Sequence, residues 1–144
     1  MRLLLTLCLL LLLPTHAAQV CQVWDGDTFR VLDQYGGCTQ RVRLANIDAP
    51  ELGQPMGKAS RDYLAAMVLG KDTPMACKGW SYKRRVCSAL EVEAAMVRAG
   101  LAYDYTKYSK GALKAVETEA ASRRVGIWSD PASIPPWRWR RQHH

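Results

Sequence analysis

Residues 20–51 read VCQVWDGDTFRVLDQYGGCTQRVRLANIDAPE. Three apolar-rich segments, at 20–24, 28–32 and 41–44, are separated by two glycine-bearing breaks, Asp25-Gly26-Asp27 and Tyr35-Gly36-Gly37. Valine, phenylalanine and threonine favour extended backbone. The glycine-bearing breaks turn the chain back on itself. In Arg41-Val42-Arg43-Leu44 polar and apolar residues alternate, which puts both arginines on one face of a strand. The stretch therefore predicts a meander of three short strands.

Helical spacing takes over after it. Ala59, Tyr63, Leu64, Met67 and Val68 fall on one helical face, with Gly70 as the stop. Residues 75–77 and 86–89 are two further short strands around a basic turn, Lys83-Arg84-Arg85. Val92, Ala95, Met96 and Ala99 mark a second helix ended by Gly100. Ala112, Leu113, Val116 and Ala120 mark a third ended by Gly126, and Pro131, Pro135 and Pro136 end regular structure. Five short strands with a helix between the third and fourth predict an α+β, mainly β domain. The expected architecture is a five-stranded OB-fold barrel with three helices.

Upstream of the meander stand Met1-Arg2, an apolar run at 3–13, Pro14, and Thr15-His16-Ala17-Ala18. That order predicts a secretory signal peptide, and the run is too short to cross a bilayer as a helix. The expected organisation is a signal peptide at 1–18, cut after Ala17 or Ala18, one domain at 19–130, and a Pro/Trp/Arg-rich tail at 131–144. Nothing then remains to insert stably in a membrane, and the mature chain is expected in the periplasm or the medium. The net charge is +7, and cleavage removes only Arg2 from it. A basic exported domain suits a polyanionic partner, nucleic acid above all, although solubility alone also accounts for the charge.

Cys8 leaves with the signal, so Cys21, Cys38, Cys77 and Cys87 remain. An even count in an exported chain suggests two disulfides. Three pairings are possible, and proximity in sequence favours Cys21–Cys38 and Cys77–Cys87. A zinc site competes weakly, because there is no Cys-x-x-Cys pair and the histidines lie at the ends.

The chemistry concentrates in carboxylates and arginines. Asp25 and Asp27 lie at the mouth of the first hairpin, and Asp48 and Glu51 follow the third strand. If the first and third strands pair, these groups meet at one end of the barrel. Hard oxygen donors without histidine or cysteine suit Ca²⁺ or Mg²⁺, and Ala49, stiffened by Pro50, is placed to offer a carbonyl. Asp-Gly-Asp by itself is a turn sequence; the second acidic group gives it weight. Arg43 and Arg84 are candidates to hold a phosphodiester, against the alternative of a solvated basic face. Glu51 is the candidate base, against the alternative of a helix-start carboxylate. The segment Trp137-Arg138-Trp139-Arg140-Arg141 mixes aromatic and basic residues, and a packed or frayed terminus is favoured over a base-stacking arm. Trp24 and Tyr103 read as core or rim packing.

Val23-Trp24-Asp25-Gly26-Asp27-Thr28, followed by Arg41-Val42-Arg43-Leu44-Ala45-Asn46-Ile47-Asp48-Ala49-Pro50-Glu51, resembles the two active-site segments of the staphylococcal nuclease-like (thermonuclease) family in order and separation. The resemblance continues through Gln54, Gly57 and Ala59. It returns at Met96-Val97-Arg98-Ala99-Gly100-Leu101-Ala102, at Glu117 and at Gly126-Ile127-Trp128, and so covers about residues 19–128. It implies the five-stranded barrel with three helices, with Asp27 and Asp48 as Ca²⁺ ligands and Ala49 as a carbonyl ligand. Arg43 would bind phosphate, Glu51 would activate water, and Asp25 would shape the turn or support the site. The implied activity is that of a secreted, monomeric endonuclease cutting DNA and RNA to 3′-phosphates and 5′-hydroxyls. The other readings are a nucleic-acid-binding barrel without catalysis and a disulfide-stapled interaction module. Neither needs Asp27, Arg43, Asp48 and Glu51 together. The family's second arginine sits in an Asp-x-Tyr-Gly-Arg turn. Here Trp80-Ser81-Tyr82-Lys83-Arg84 keeps the tyrosine and arginine but lacks the acid and the glycine, which leaves Arg85 as the alternative to Arg84. Asn46 stands where many relatives have glycine.

Overall fold

The structure is a computed structural model that describes residues 16–143. Its strands are β1 (His16–Val23), β2 (Thr28–Val31), β3 (Gln40–Leu44), the two-residue β4 (Ile47–Asp48), β5 (Asp72–Ser81), β6 (Arg84–Ser88) and the two-residue β7 (Tyr103–Asp104). β1, β2, β3, β6 and β5 close in that order into a barrel, and β4 pairs with β7. The helices are α1 (Gly57–Val68), α2 (Leu90–Arg98), the single turn α3 (Thr106–Ser109), α4 (Lys114–Ser122) and α5 (Pro136–His143), with a 3₁₀ turn at Gly126–Ser129. This is the α+β, OB-type barrel that the strand and helix order predicts, with α1 between the third and fourth barrel strands.

Alternation fills the barrel. Phe29 and Val31 from β2, Val42 and Leu44 from β3, and Met75 and Cys87 point inward and are buried. Leu64 and Val68 of α1 and Met96 and Val97 of α2 close the core. Arg41 and Arg43 share the opposite face of β3, as alternation requires. The disulfides are Cys21–Cys38 and Cys77–Cys87; the second joins directly opposed residues of β5 and β6.

The structure departs from the sequence reading, or narrows it, at five points. β1 pairs with β2 and β5, not with β3; β2 lies between them. The buried row of α1 is Gly57, Ser60, Leu64 and Val68, whereas Ala59 and Tyr63 are exposed. Ser60 displaces the apolar candidates because its hydroxyl donates to the Leu101 carbonyl at 2.7 Å, which removes the cost of burying it. The β5–β6 reversal falls on Tyr82-Lys83 rather than on Lys83-Arg84-Arg85, with Arg84 already in β6, and Tyr82 carries the positive φ (55°). Pro136 opens α5 instead of ending regular structure. Proline is tolerated at the first helical position because that N–H has no intrahelical partner. Of the two residues read as core or rim packing, Trp24 is at the rim, 48% exposed, and Tyr103 is buried in the core.

The expected signal segment, 1–18, lies largely outside the described residues. Its last three, His16, Ala17 and Ala18, are paired with Met75, Pro74 and Thr73. A chain starting at Gln19 keeps the Gln19–Asp72 pair. It also keeps the hydrogen bonds from Val20 N–H to the Lys71 carbonyl (3.0 Å) and from Gly70 N–H to the Val20 carbonyl (2.7 Å).

Candidate active site

The two acidic segments meet because two glycines allow it. A Cβ on Gly26 would stand 1.8 Å from Ser60 Oγ and 2.7 Å from Ala49 Cβ, so only glycine lets the Asp25–Asp27 turn lie against α1 and residue 49. A Cβ on Gly57 would stand 1.9 Å from the Glu51 carbonyl oxygen, so the start of α1 holds the Glu51 backbone as closely. Across the first contact the Ala49 N–H donates to Asp27 Oδ2 at 2.8 Å. The Leu44 N–H donates to the Asp27 carbonyl at 2.8 Å. Asp27 is thereby fixed against both the end of β3 and the Asp48-Ala49 segment. Its own N–H donates to Asp25 Oδ1 at 3.0 Å, which gives Asp25 the role of shaping the turn.

Arg43 bridges the two segments. Its Nε is 3.1 Å from Asp27 Oδ1, and its Nη2 donates to Asp48 Oδ1 at 3.2 Å. Its Nη1 donates to the Leu44 carbonyl and, at 2.8 Å, to the Ile47 carbonyl. Most of the five guanidinium hydrogens are engaged this way. Asp48 is fully buried. Burial holds its carboxyl above the usual range, against a hydrogen bond from Arg140 and with repulsion from Asp27. Burial pushes Asp25 further, up to about 7, and repulsion from Asp27 adds to it.

The sequence reading did not single out Arg140. It reaches the site from α5. Its Nη2 and Nη1 donate to Asp48 Oδ2 (2.7 Å) and Oδ1 (3.2 Å), and Nη1 also donates to Glu51 Oε1 (2.7 Å). This is a fork across a carboxylate, and it holds the guanidinium above its ordinary pKa, with the Asp48 hydrogen bond as the main cause. The tail is tied down by two further contacts. Buried Gln54 donates to the Ile134 carbonyl at 2.6 Å, and Trp137 packs edge-on against Tyr103 with centroids 5.5 Å apart. The Trp-Arg-Trp-Arg alternation of residues 137–140 was the available signal, but a partner 92 positions away leaves no local trace. Glu93 was also missed. Fully buried on α2, it accepts from the Asn46 N–H (2.9 Å), Asn46 Nδ2 (2.8 Å) and Ser88 Oγ (3.1 Å), and so anchors the loop between Arg43 and Asp48.

Asp27, Arg43, Asp48, Ala49, Glu51, Arg84 and Arg140 all line one cleft of about 550 Å³. Arg84 enters it from β6 and forms no ion pair among the described residues. Arg85 lies 6.0 Å from the Trp80 ring instead. The donors suit a hard cation: they are oxygens, and both Asp48 and Asp25 show the strain of buried negative charge. Among the described residues no three His, Cys, Asp or Glu side chains form a metal-holding group by themselves. A cation at Asp27 and Asp48 would therefore complete its shell with carbonyl and water oxygens, which Ca²⁺ accepts.

A family model described as staphylococcal nuclease homologue matches residues 41–130. The chain is 36% identical over 129 residues to an uncharacterized endonuclease of Escherichia coli, covering 85% of this chain and 83% of the relative. It is 34% identical over 140 residues to a micrococcal nuclease of Shigella flexneri, covering 85% and 79%. An uncharacterized endonuclease of Haemophilus influenzae is 33% identical over 133 residues, covering 88% and 74%.

Proposed function

The chain belongs to the family of staphylococcal nuclease homologues, and from that premise we propose that it is an exported, Ca²⁺-dependent endonuclease that hydrolyses DNA and RNA to 3′-phosphates and 5′-hydroxyls. The observation that carries the reading is the convergence of Asp27, Asp48, Glu51, Arg43 and Arg84 on one cleft. Asp27 and Asp48 would hold the cation, with the Ala49 carbonyl as a further ligand. When bound there, it supplies positive charge against the charge that develops on the phosphate.

The chain's own groups divide the remaining work. Arg84, which forms no ion pair among the described residues, is the guanidinium available to fork the non-bridging oxygens of a phosphodiester. Arg43 contributes what its carboxylate contacts leave, and positions Asp27 and Asp48. Glu51, at the rim, accepts a proton as water attacks phosphorus; the 5′-oxygen leaves and takes a proton from solvent. Arg140 must yield Glu51 Oε1 and Asp48 for this to happen. The two disulfides and the 1–18 signal fit export. No described helix is long and apolar enough to cross a membrane. The enzyme is proposed to act as a monomer.

Purified, oxidised protein is expected to degrade single-stranded DNA and RNA at millimolar Ca²⁺ and to stop when chelator is added. Mass spectrometry of the fragments should find 3′-phosphate ends. Intact substrates at millimolar Ca²⁺ would overturn the proposal.

A further inference from the structure

A second groove adjoins the acidic cleft. It has a volume of about 600 Å³ and is lined by Trp24, Arg30, Arg41 and Tyr82; it shares Asp25, Tyr82 and Arg84 with the cleft. Its floor is the outer face of β1–β2–β3. Gln22 pairs with Arg30 and Arg30 with Arg41 across that sheet, and Trp24 follows at the end of β1. The Trp24 N–H donates to the Thr28 carbonyl at 2.9 Å, which holds the residue at the hairpin mouth.

Three features of this groove are costly for a surface with structural duties alone. Trp24 and Tyr82 are 48% and 94% exposed. Arg30 and Arg41 are like charges directly opposed on paired strands, an arrangement that destabilises a sheet. Neither forms an ion pair among the described residues. Both guanidiniums instead approach the Trp24 ring, at 5.8 and 5.5 Å from its centroid. Arg30 Nε is itself buried with no hydrogen-bond partner among the described residues, an unmet donor that adds to the cost of placing Arg30 here. A single-stranded polynucleotide offers a base for the exposed indole and phosphate oxygens for the guanidiniums of Arg30 and Arg41. Its path is continuous with the cleft through Tyr82 and Arg84.

We propose that the Trp24–Arg30–Arg41 groove is a second nucleotide subsite, which stacks a base and holds a phosphate of the substrate strand beyond the scissile bond. The proposal rests on the nuclease reading for its substrate, and the test separates the two. Wild type, Trp24→Ala, Trp24→Phe and Arg41→Ala are compared in binding a labelled single-stranded DNA 12-mer under chelation, by fluorescence anisotropy. They are then compared in cleaving that 12-mer and a dinucleotide with Ca²⁺.

Trp24→Ala should weaken 12-mer binding by about 10-fold, the usual loss for one stacked base. It should raise KM for the 12-mer to match, and leave kcat and dinucleotide cleavage unchanged. Trp24→Phe should recover most of the affinity. Arg41→Ala should weaken binding and lower the slope of log affinity against log salt by about 0.7, as one lost phosphate contact does on a single strand. Wild-type affinity in both Trp24→Ala and Arg41→Ala, or equal losses on 12-mer and dinucleotide, would overturn the subsite. If wild type cuts neither substrate while the binding losses appear, the nuclease reading falls and the subsite stands.

Discussion

Replacing Arg140 with alanine separates two roles for the C-terminal helix, because it should lower the stability of the cation-free protein and raise its affinity for Ca²⁺. Two contacts are lost. The one with Glu51 joins side chains that are both more than a third exposed (36% and 37%), and such a pair is worth about 0.5 kcal/mol. The one with Asp48 is different, since that side chain is only 1% exposed. A charge-assisted fork to a buried carboxylate is worth about 2 kcal/mol, discounted because Arg43 stays at 3.2 Å and water can enter behind Arg140. The total is about 2 kcal/mol, or roughly 8 °C in Tm for a domain of this size. The assay is thermal unfolding in chelator and in millimolar Ca²⁺, with calorimetry of Ca²⁺ binding. In chelator the variant should melt about 8 °C below wild type. In Ca²⁺ the gap should close, because the cation no longer competes with a guanidinium for Asp48. Ca²⁺ affinity should rise about 10-fold, within the roughly 30-fold ceiling that 2 kcal/mol sets. An equal Tm loss in both conditions, with unchanged Ca²⁺ affinity, would refute the competition and leave Arg140 a structural tether.

Three further outcomes are expected. Arg84→Ala should lower kcat/KM by about 100-fold or more, as loss of a group aimed at transition-state charge does, whereas Arg85→Ala stays within about 3-fold of wild type; the reverse order would reassign the phosphate clamp. Glu93→Ala should cost about 3 kcal/mol in urea unfolding, since three donors lose a buried acceptor, and Glu93→Gln clearly less, because Asn46 can rotate its amide to match; a loss under about 1 kcal/mol in the alanine variant contradicts the anchoring role. Asp25 has its folded pKa raised from 3.8 to about 7, so its contribution is fully present below about pH 4 and is lost as pH rises through 7. In chelator, Asp25→Asn should therefore gain on wild type across that window, by about 4 kcal/mol at pH 8, and parallel pH–stability curves would count against it.

What the sequence made legible was local. The Arg41–Leu44 alternation and the two glycine breaks fall within single strands and turns, so the meander was readable without knowing its neighbours. Asp27, Arg43, Asp48 and Glu51 lie in two short segments, and the structure brings all four to one cleft. The misreadings involve contacts that periodicity does not encode. Counting apolar residues on α1 selects Ala59 and Tyr63; it does not see Ser60 finding the Leu101 carbonyl. The turn residues 82–83 gave no sign that the tyrosine carries the positive φ. The first and third strands do not pair, since β2 lies between them; Asp27 reaches Asp48 by another route, through the Ala49 N–H and Arg43. Arg140 was hidden because a helix of arginines and tryptophans looks like a solvated terminus until its docking partner is known.

The charge arrangement of the cleft then bears on how its arginines share the work. Asp25, Asp27, Asp48 and Glu51 are four carboxyl groups in one cleft and its rim, and burial already keeps Asp25 protonated to about pH 7. Without a metal, the remaining charge is met by Arg43, locked between Asp27 and Asp48, and by Arg140, forked on Asp48 and Glu51. Among the described residues, two of the three guanidiniums lining the cleft are thus committed to carboxylates, and Arg84 is the one left facing it. A divalent cation held by Asp27 and Asp48 would take over the charge balance that Arg140 supplies, and Glu51 would then be free to accept a proton. On this reasoning Arg84 would carry the phosphate from the first encounter, and Arg140 would keep the acidic cluster folded in the absence of the cation.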